Sequence, residues 1–262
     1  MHTAANGTWP SPWFRQLRNC PAPRLRLVCF PHAGGSANFF RPWSGLVPDD
    51  VELLAVRYPG REDRFAEPQA RSMEELAEPI AQACARLADS PLVFFGHSMG
   101  ASVAYEVAVR LAAGPRAPGL AALSVSGRPG PGKTRSRGLA DATDEELVAD
   151  LVAMSGTNAE ALANPELREL FLPVIRADYR LLDRYGDDVA PRSLDVPVVA
   201  YYGDQDEHVD ADAVNAWSAV TRSGFAARSF PGGHFYLEQH AAPLVADLFA
   251  RLDTSAPHPT SA

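Results

Sequence analysis

The run Phe94-Phe95-Gly96-His97-Ser98-Met99-Gly100 decides the fold, because it fits the pattern Gly-x-Ser-x-Gly where an apolar segment meets a helix-forming one. A serine on such a sharp strand-to-helix turn projects its hydroxyl beyond the strand end. Glycines are needed on both sides because the turn brings neighbouring backbone segments too close for a Cβ atom. The helix predicted over 99–113 directs free N–H groups and its positive dipole end at the same place. We interpret Ser98 as a nucleophile, the alternative being an inert serine in a tight turn.

Strand-sized apolar runs alternate with helical segments on both sides of this turn. Strands are predicted over 25–30, 51–58, 91–96, 121–127, 197–203 and 227–230. Most of these runs are apolar throughout, which is typical of strands covered on both faces. Ser72 to Glu75 has the pattern of a capping box, and further helices are predicted over 39–46 and 237–252. This alternation predicts an α/β fold with a mostly parallel sheet and helices on both faces.

One helical segment interrupts the alternation. A joint rich in glycine and proline follows Gly127, and two helices then begin at Thr143 and at Asn164 without a strand between them. We interpret the segment at about 130–187 as a lid over the site, the alternative being an ordinary helical excursion. The predicted organisation is an N-terminal extension over 1–20, one domain over 21–253 and a disordered tail over 254–262.

A nucleophilic serine needs a base, and His234 is the candidate among seven histidines. It lies in the glycine-rich run Pro231-Gly232-Gly233-His234, after the last predicted strand and before the last helix. A base late in the chain is what this strand–turn–helix arrangement requires. Five of the other histidines fit less well: His32 precedes the serine, His97 adjoins it, His240 falls inside the last predicted helix, and His2 and His258 lie in the tails.

The acid that orients the base should follow a strand between the serine and the histidine. The run Gly203-Asp204-Gln205-Asp206 follows the strand predicted over 197–203. Asp204 is closer to the strand end, while Asp206 lies further round the loop. Chemistry alone leaves both open.

A second glycine-containing loop follows the first predicted strand. In Phe30-Pro31-His32-Ala33-Gly34-Gly35, two glycines allow backbone N–H groups to approach a reacting carbonyl. We predict the amides of Ala33 and Met99 as oxyanion donors. A phosphate-binding loop is the rival interpretation, but neither Gly-Lys-Ser/Thr nor Gly-x-Gly-x-x-Gly occurs here.

Composition narrows the functional classes. The chain has 262 residues, 46% of them hydrophobic, and a formal net charge of −8, which argues against nucleic-acid binding. Its three cysteines lack metal-ligand spacing and indicate reduced thiols. The N-terminus does not resemble a secretory signal, and the apolar runs are too short for a membrane span. We therefore expect a cytoplasmic protein that uses no membrane.

Four motifs occur in order: Phe30-Pro31-His32-Ala33-Gly34-Gly35, Tyr58-Pro59-Gly60-Arg61, Gly96-His97-Ser98-Met99-Gly100 and Gly232-Gly233-His234-Phe235. Together they resemble the type II thioesterases of polyketide synthases and nonribosomal peptide synthetases, which have the α/β-hydrolase fold. The resemblance covers about residues 20–252. It implies hydrolysis of stalled or aberrant acyl groups from the phosphopantetheine thiol of acyl or peptidyl carrier proteins, through an acyl-serine. It also implies Asp206 as the acid, with Asp204 as the fallback, and a mobile helical lid.

Further expectations concern partners and rivals. We expect no cofactor, no metal, and a discrete monomer that binds carrier proteins. The rivals are an esterase acting on oxygen esters or acyl-CoA, a binding protein on an inactive hydrolase scaffold, and the product-releasing thioesterase domain of a synthase. Arg57, Arg61 and Arg64 are candidates for contact with an acidic carrier, although structural ion pairs are an equally good interpretation of them.

Overall fold

A single twisted sheet organises the computed structural model, which describes residues 11–87, 89–114, 119–154, 164–186 and 190–255. The described strands are β1 (Phe14–Arg18), β2 (Leu25–Phe30), β3 (Val51–Val56), β4 (Leu92–His97), β5 (Leu120–Ser126), β6 (Val198–Gly203) and β7 (Phe225–Phe230). Their order is β1-β3-β2-β4-β5-β6-β7. β1 is antiparallel to β3, and the other pairs are parallel. The predicted mostly parallel sheet is confirmed.

The N-terminal edge of this sheet was not predicted. β1 pairs Phe14 with Val56 and Gln16 with Leu54, so the sheet begins before residue 21 and the boundary predicted there is corrected. The strand escaped sequence analysis because Phe14 is its one fully buried side chain. An edge strand with a mostly polar surface lacks the continuous apolar run that marked the central strands.

Side chains of the central strands alternate between two hydrophobic cores. In β2, Leu27 and Cys29 belong to the core on one face, while Val28 and Phe30 belong to the core on the other. Because successive side chains of a strand point to opposite faces, this apolar run is buried on both sides. That burial is what the near-continuous apolar sequence predicted.

Helices cover both faces. They are α1 (Met73–Ala85), α2 (Met99–Ala113), α3 (Asp144–Met154), α4 (Pro165–Tyr185), α5 (Ala211–Asn215), α6 (Tyr236–Gln239) and α7 (Ala241–Ser255), with 3₁₀ helices at Ala37–Gly45, Glu62–Arg64 and Ala216–Val220. The predicted cap of α1 is present, since Ser72 Oγ accepts a hydrogen bond from the Glu75 amide at 3.2 Å. The helix predicted over 237–252 is instead two helices that meet at His240. α7 extends through residue 255, so the predicted tail does not start at 254, and residues 256–262 lie outside the described part.

The predicted helical insertion lies between β5 and β6 and contains α3 and α4. Thr143 Oγ1 accepts from the Glu146 amide at 3.2 Å, and the Thr143 amide donates to the Glu146 carboxylate at 2.8 Å, which is a complete capping box. Asn164 Oδ1 caps α4 by accepting from the Glu166 amide at 3.0 Å. Residues 155–163 and 187–189 of the insertion lie outside the described residues. Among the described helices, none is long and apolar enough to cross a membrane.

Candidate active site

Ser98 occupies a strained turn between β4 and α2. Its backbone φ is +54°, in the left-handed region that residues other than glycine rarely adopt. Such a conformation costs about 1–3 kcal/mol and is found where the surrounding structure enforces it. A Cβ on Gly96 would lie 2.2 Å from the Gly100 carbonyl oxygen, and one on Gly100 would lie 2.0 Å from the Phe30 carbonyl oxygen. Both flanking glycines are therefore required by close backbone contacts, as the motif predicted.

The two candidate acids have different environments. Asp206 is buried, and its Oδ2 lies 2.7 Å from His234 Nδ1, while its Oδ1 accepts from the His208 amide at 3.0 Å. Asp204 is exposed and accepts from the Gly232 amide at 3.0 Å. Asp204 thus fastens the loop that carries the histidine, whereas Asp206 contacts the imidazole itself. The geometry favours Asp206 as the acid.

Three imidazoles pack together beside the serine turn. The ring centroid of His97 lies 5.0 Å from that of His234 and 6.0 Å from that of His32. Burial lowers the pKa of His97 well below its ordinary value, and burial, with the nearby His234 and Arg61, lowers the pKa of His32 to about 3. His32 and His97 are therefore neutral at neutral pH, so they add no fixed positive charge next to His234.

A hydrogen-bonded chain holds His97 in place behind Ser98. His97 Nδ1 lies 3.0 Å from Ser126 Oγ, which lies 2.7 Å from the Tyr236 hydroxyl. The Ser98 amide donates to the Ser126 carbonyl oxygen at 2.8 Å. The end of β5 thus supports the serine turn through both its backbone and a side chain.

The predicted oxyanion donors belong to two different elements. Ala33 lies in the loop after β2, and Met99 begins α2. Neither amide donates a hydrogen bond to another residue of the described part of the chain. Both N–H groups therefore lack an internal acceptor among these residues, as the donors of an oxyanion site must.

The Tyr-Pro-Gly-Arg motif contacts the loop that contains Ala33. The Tyr58 hydroxyl donates to the Pro31 carbonyl oxygen at 3.2 Å. Arg61 Nη1 donates to the Gly35 carbonyl oxygen at 3.0 Å, and the guanidinium forms a buried, two-point ion pair with Asp178 of α4. The role of this motif and its partner Asp178 were not predicted from the sequence. Their contact spans 117 residues, so no local pattern could have indicated it.

The proposed contact of three arginines with an acidic carrier does not fit the structure. Arg61 and Arg64 are buried, and Arg64 pairs with Glu67. Arg57 pairs with Asp63, and its side chain is 14% exposed. All three make structural ion pairs, which was the alternative interpretation.

A cavity of about 730 Å³ lies between this loop and the helical insertion. Its lining includes loop residues Ala33–Ser36, the aromatic side chains of Phe39, Trp43 and Phe235, and Leu170, Phe171, Val174 and Ile175 of α4. Ser98 does not line it, but Ala33 and Phe235, which adjoin the two sides of the site, do. Leu170 and Phe171 are 44% and 39% exposed, so part of an apolar wall faces solvent. Within the described residues, no group of three or more His, Cys, Asp and Glu side chains could hold a metal ion.

A mostly parallel sheet, a serine turn after one strand and a histidine loop after the last strand define the α/β-hydrolase class, and this chain belongs to it. A family model described as "Thioesterase domain" matches residues 25–252. The chain therefore belongs to the thioesterase domain family, and it is a thioester hydrolase.

Similar proteins agree with that assignment. The chain is 41% identical over 228 residues to "Thioesterase PikA5" of Streptomyces venezuelae, covering 86% of this chain and 80% of that protein. It is 38% identical over 233 residues to "Probable cadicidin biosynthesis thioesterase" of Streptomyces griseus, covering 87% of this chain but 62% of that protein. The solved structure of the type II thioesterase BorB from the borrelidin biosynthetic cluster superposes with a TM-score of 0.84 at 36% identity, covering 96% of this chain and all of that one.

Proposed function

We propose that the protein is an editing thioesterase of a polyketide or nonribosomal peptide pathway, which removes stalled or aberrant acyl groups from the phosphopantetheine thiol of carrier proteins. The observation that carries the proposal is the buried contact between Asp206 and His234, 2.7 Å long, next to the strained turn of Ser98. The likeness to named biosynthetic thioesterases supports the pathway class. We propose a carrier protein as the substrate on the basis of the same similarity.

The first half of the proposed reaction acylates the enzyme. Ser98 Oγ attacks the thioester carbonyl carbon while His234 accepts the hydroxyl proton, and Asp206 stabilises the imidazolium that forms. The amides of Ala33 and Met99 donate hydrogen bonds to the oxyanion of the tetrahedral intermediate. Each such donor contributes about 3–4 kcal/mol to transition-state stabilisation. The C–S bond then breaks, and the leaving thiolate takes the proton from His234.

The second half releases the free acid. His234 removes a proton from a water molecule that attacks the acyl-serine, and the same amides stabilise the second oxyanion. His234 then returns the proton to Ser98 Oγ, so the enzyme is regenerated without a cofactor. Neutral His32 and His97 leave His234 free to take up this proton without a neighbouring positive imidazole.

The cavity is the proposed acyl site. Ala33 is one of its lining residues, so an acyl chain whose carbonyl oxygen meets that amide has an apolar volume beside it. Side chains of α4 line one wall of the cavity, which supports a covering role for the helical insertion. We propose that α3 and α4 act as that lid and that their apolar side chains select the acyl group.

The test compares three substrates carrying the same acyl group: a loaded carrier protein, acyl-CoA and a p-nitrophenyl ester. A carrier-directed thioesterase should give the highest kcat/KM with the carrier. Equal or higher kcat/KM with the oxygen ester would contradict the carrier assignment. A strong preference for full-length product chains over short acyl groups would replace editing with product release.

Two serine variants test the nucleophile. Ser98→Ala should abolish turnover and prevent a covalent acyl adduct, measured by intact-protein mass spectrometry. Ser102→Ala is the matched control, because Ser102 is a buried serine one turn further along α2 and accepts a hydrogen bond from Arg128 Nε. It should retain turnover. Full activity of Ser98→Ala would overturn the mechanism.

A further inference from the structure

We infer that Asp178, acting through Arg61, is a positioning residue that holds the oxyanion loop, residues 31–35 with the Ala33 amide, in shape and couples that loop to the helical insertion. The inference rests on the proposed roles of Ser98 and the Ala33 amide. It adds a residue that touches neither substrate nor reacting atoms. It also gives the Tyr-Pro-Gly-Arg motif a function.

The contacts form one closed network. Asp178 Oδ2 accepts from the Gly34 amide at 2.7 Å and from Arg61 Nη1 at 2.9 Å, and Asp178 Oδ1 accepts from Arg61 Nη2 at 2.8 Å. Arg61 Nη1 also donates to the Gly35 carbonyl oxygen at 3.0 Å. Side chains of the pair are 9% and 6% exposed, so water competes little for these bonds.

The network fixes the backbone on both sides of Ala33. Tyr58 holds the Pro31 carbonyl oxygen before it, while Asp178 and Arg61 hold Gly34 and Gly35 after it. The Ala33 amide donates to no acceptor among the described residues. An oxyanion donor must be held close to its productive position, since a displacement of about 1 Å can reduce the rate about 100-fold. The network supplies that restraint.

The same network requires α4 to be docked. Gly34 has φ +73°, and a Cβ on it would lie 2.4 Å from Ile175 Cγ1, so α4 packs directly on the loop. Ile175 lines the acyl cavity, and Asp178 follows it by one helical turn. Displacement of this part of α4 would remove the carboxylate from the Gly34 amide. The shape of the oxyanion site therefore depends on the position of the insertion.

A second buried ion pair provides a matched control. Arg26 Nε donates to the Glu52 carboxylate at 2.5 Å, and those side chains are 8% and 4% exposed. Both residues lie near the amino ends of β2 and β3, whereas Ser98 follows the carboxyl end of β4. Loss of either pair removes a buried charge partner, but only loss of Asp178 disturbs the oxyanion loop.

The experiment measures p-nitrophenyl ester hydrolysis by Asp178→Ala, Asp178→Asn and Glu52→Gln, with every rate divided by the active-site concentration titrated with a fluorophosphonate. Asp178→Ala should lower kcat about 10- to 100-fold and change KM less than about threefold, because it loosens one oxyanion donor without removing it. Asp178→Asn keeps an oxygen for the Gly34 amide, so its kcat should lie between Asp178→Ala and the wild type. Glu52→Gln should unfold at lower denaturant concentration yet retain kcat within about twofold.

A transition-state analogue gives the readout that a purely structural role would not change. Across the variants, affinity for a trifluoromethyl ketone, which forms an oxyanion on Ser98, should fall in proportion to kcat/KM. If Asp178→Ala and Asp178→Asn both retain kcat and ketone affinity within about twofold, the inference is overturned. If Asp178→Ala does not fold, Asp178→Asn alone decides by the same limits. Ester hydrolysis by Ser98→Ala would instead refute the proposed function.

Discussion

Replacing His32 with leucine should make the protein less sensitive to acid. His32 is buried between the aromatic rings of Phe39 and Phe235, whose centroids lie 4.6 and 4.8 Å from its own. Its Nδ1 is buried without a hydrogen-bond partner among the described residues. Protonation there places a charge in an apolar site that also faces His234 and Arg61, which is why the pKa is lowered.

The magnitude follows from proton linkage. Burial lowers the pKa of His32 from 6.5 to about 3, so between these values the unfolded chain binds the proton and the folded one does not. The contribution of neutral His32 to stability is therefore fully present above pH 6.5 and is lost as the pH falls towards 3. At pH 5, which is 1.5 units below 6.5, the lost free energy of unfolding is about 2 kcal/mol, at 1.36 kcal/mol per pH unit. At pH 7 the loss is close to zero.

The assay is urea unfolding of wild type and His32→Leu at pH 7, 6 and 5, followed by the fluorescence of the four tryptophans. The effect of leucine on packing is the same at each pH. We therefore compare how the free energy of unfolding of the variant, relative to wild type, changes with pH. From pH 7 to pH 5, the free energy of unfolding of the variant relative to wild type should rise by about 2 kcal/mol. For a slope of about 3 kcal/mol per M, this raises its relative urea midpoint by about 0.7 M. Acid sensitivity from His97 remains in both proteins. Parallel loss of stability in the two proteins would refute the argument.

Three more perturbations test the site. Asp206→Asn should lower kcat about 1,000- to 10,000-fold by removing the orienting carboxylate, while Asp204→Asn should stay within about threefold of wild type, measured as hydrolysis per titrated site. A similar loss in both variants would contradict the choice of acid. Gly100→Ala, whose Cβ would lie 2.0 Å from the Phe30 carbonyl oxygen, should destabilise the fold by about 3 kcal/mol or more in thermal melts. Tyr58→Phe should lower the free energy of unfolding by about 1 kcal/mol. It should also lower kcat by a larger factor than it changes KM, because the hydroxyl holds the oxyanion loop.

Most of the fold was predictable because its signals are local. β2 matches its predicted bounds, and α2 begins and ends where predicted. Continuous apolar runs, capping residues and glycines at close approaches each leave a mark within a few positions. β1 was missed because an edge strand with one buried side chain leaves no such mark. The break at His240 did leave one, since Pro243 lies in the first turn of α7 and has no N–H to donate to the Gln239 carbonyl oxygen. That signal was overlooked.

The candidate site likewise contains some residues with local sequence signals and others that only tertiary contacts single out. Ser98, His234 and the Ala33 loop were proposed from motifs, because glycines beside each of them mark the turns. Residues alone left the acid open, because Asp204 and Asp206 share one loop. Burial and the 2.7 Å contact with His234 separate them, and both are tertiary properties.

Asp178 illustrates what no local pattern contains. It lies inside an amphipathic helix, where a lone aspartate usually indicates a solvated face, yet its carboxylate is buried against a glycine amide 144 residues earlier in the chain. A carboxylate can be buried there because Arg61 neutralises it and the Gly34 amide satisfies a further lone pair. The same arginine then has a fixed guanidinium with which to bind the Gly35 carbonyl oxygen. Burial of the aspartate and the shape of the loop around Ala33 thus depend on the same arginine, which links α4 to that loop.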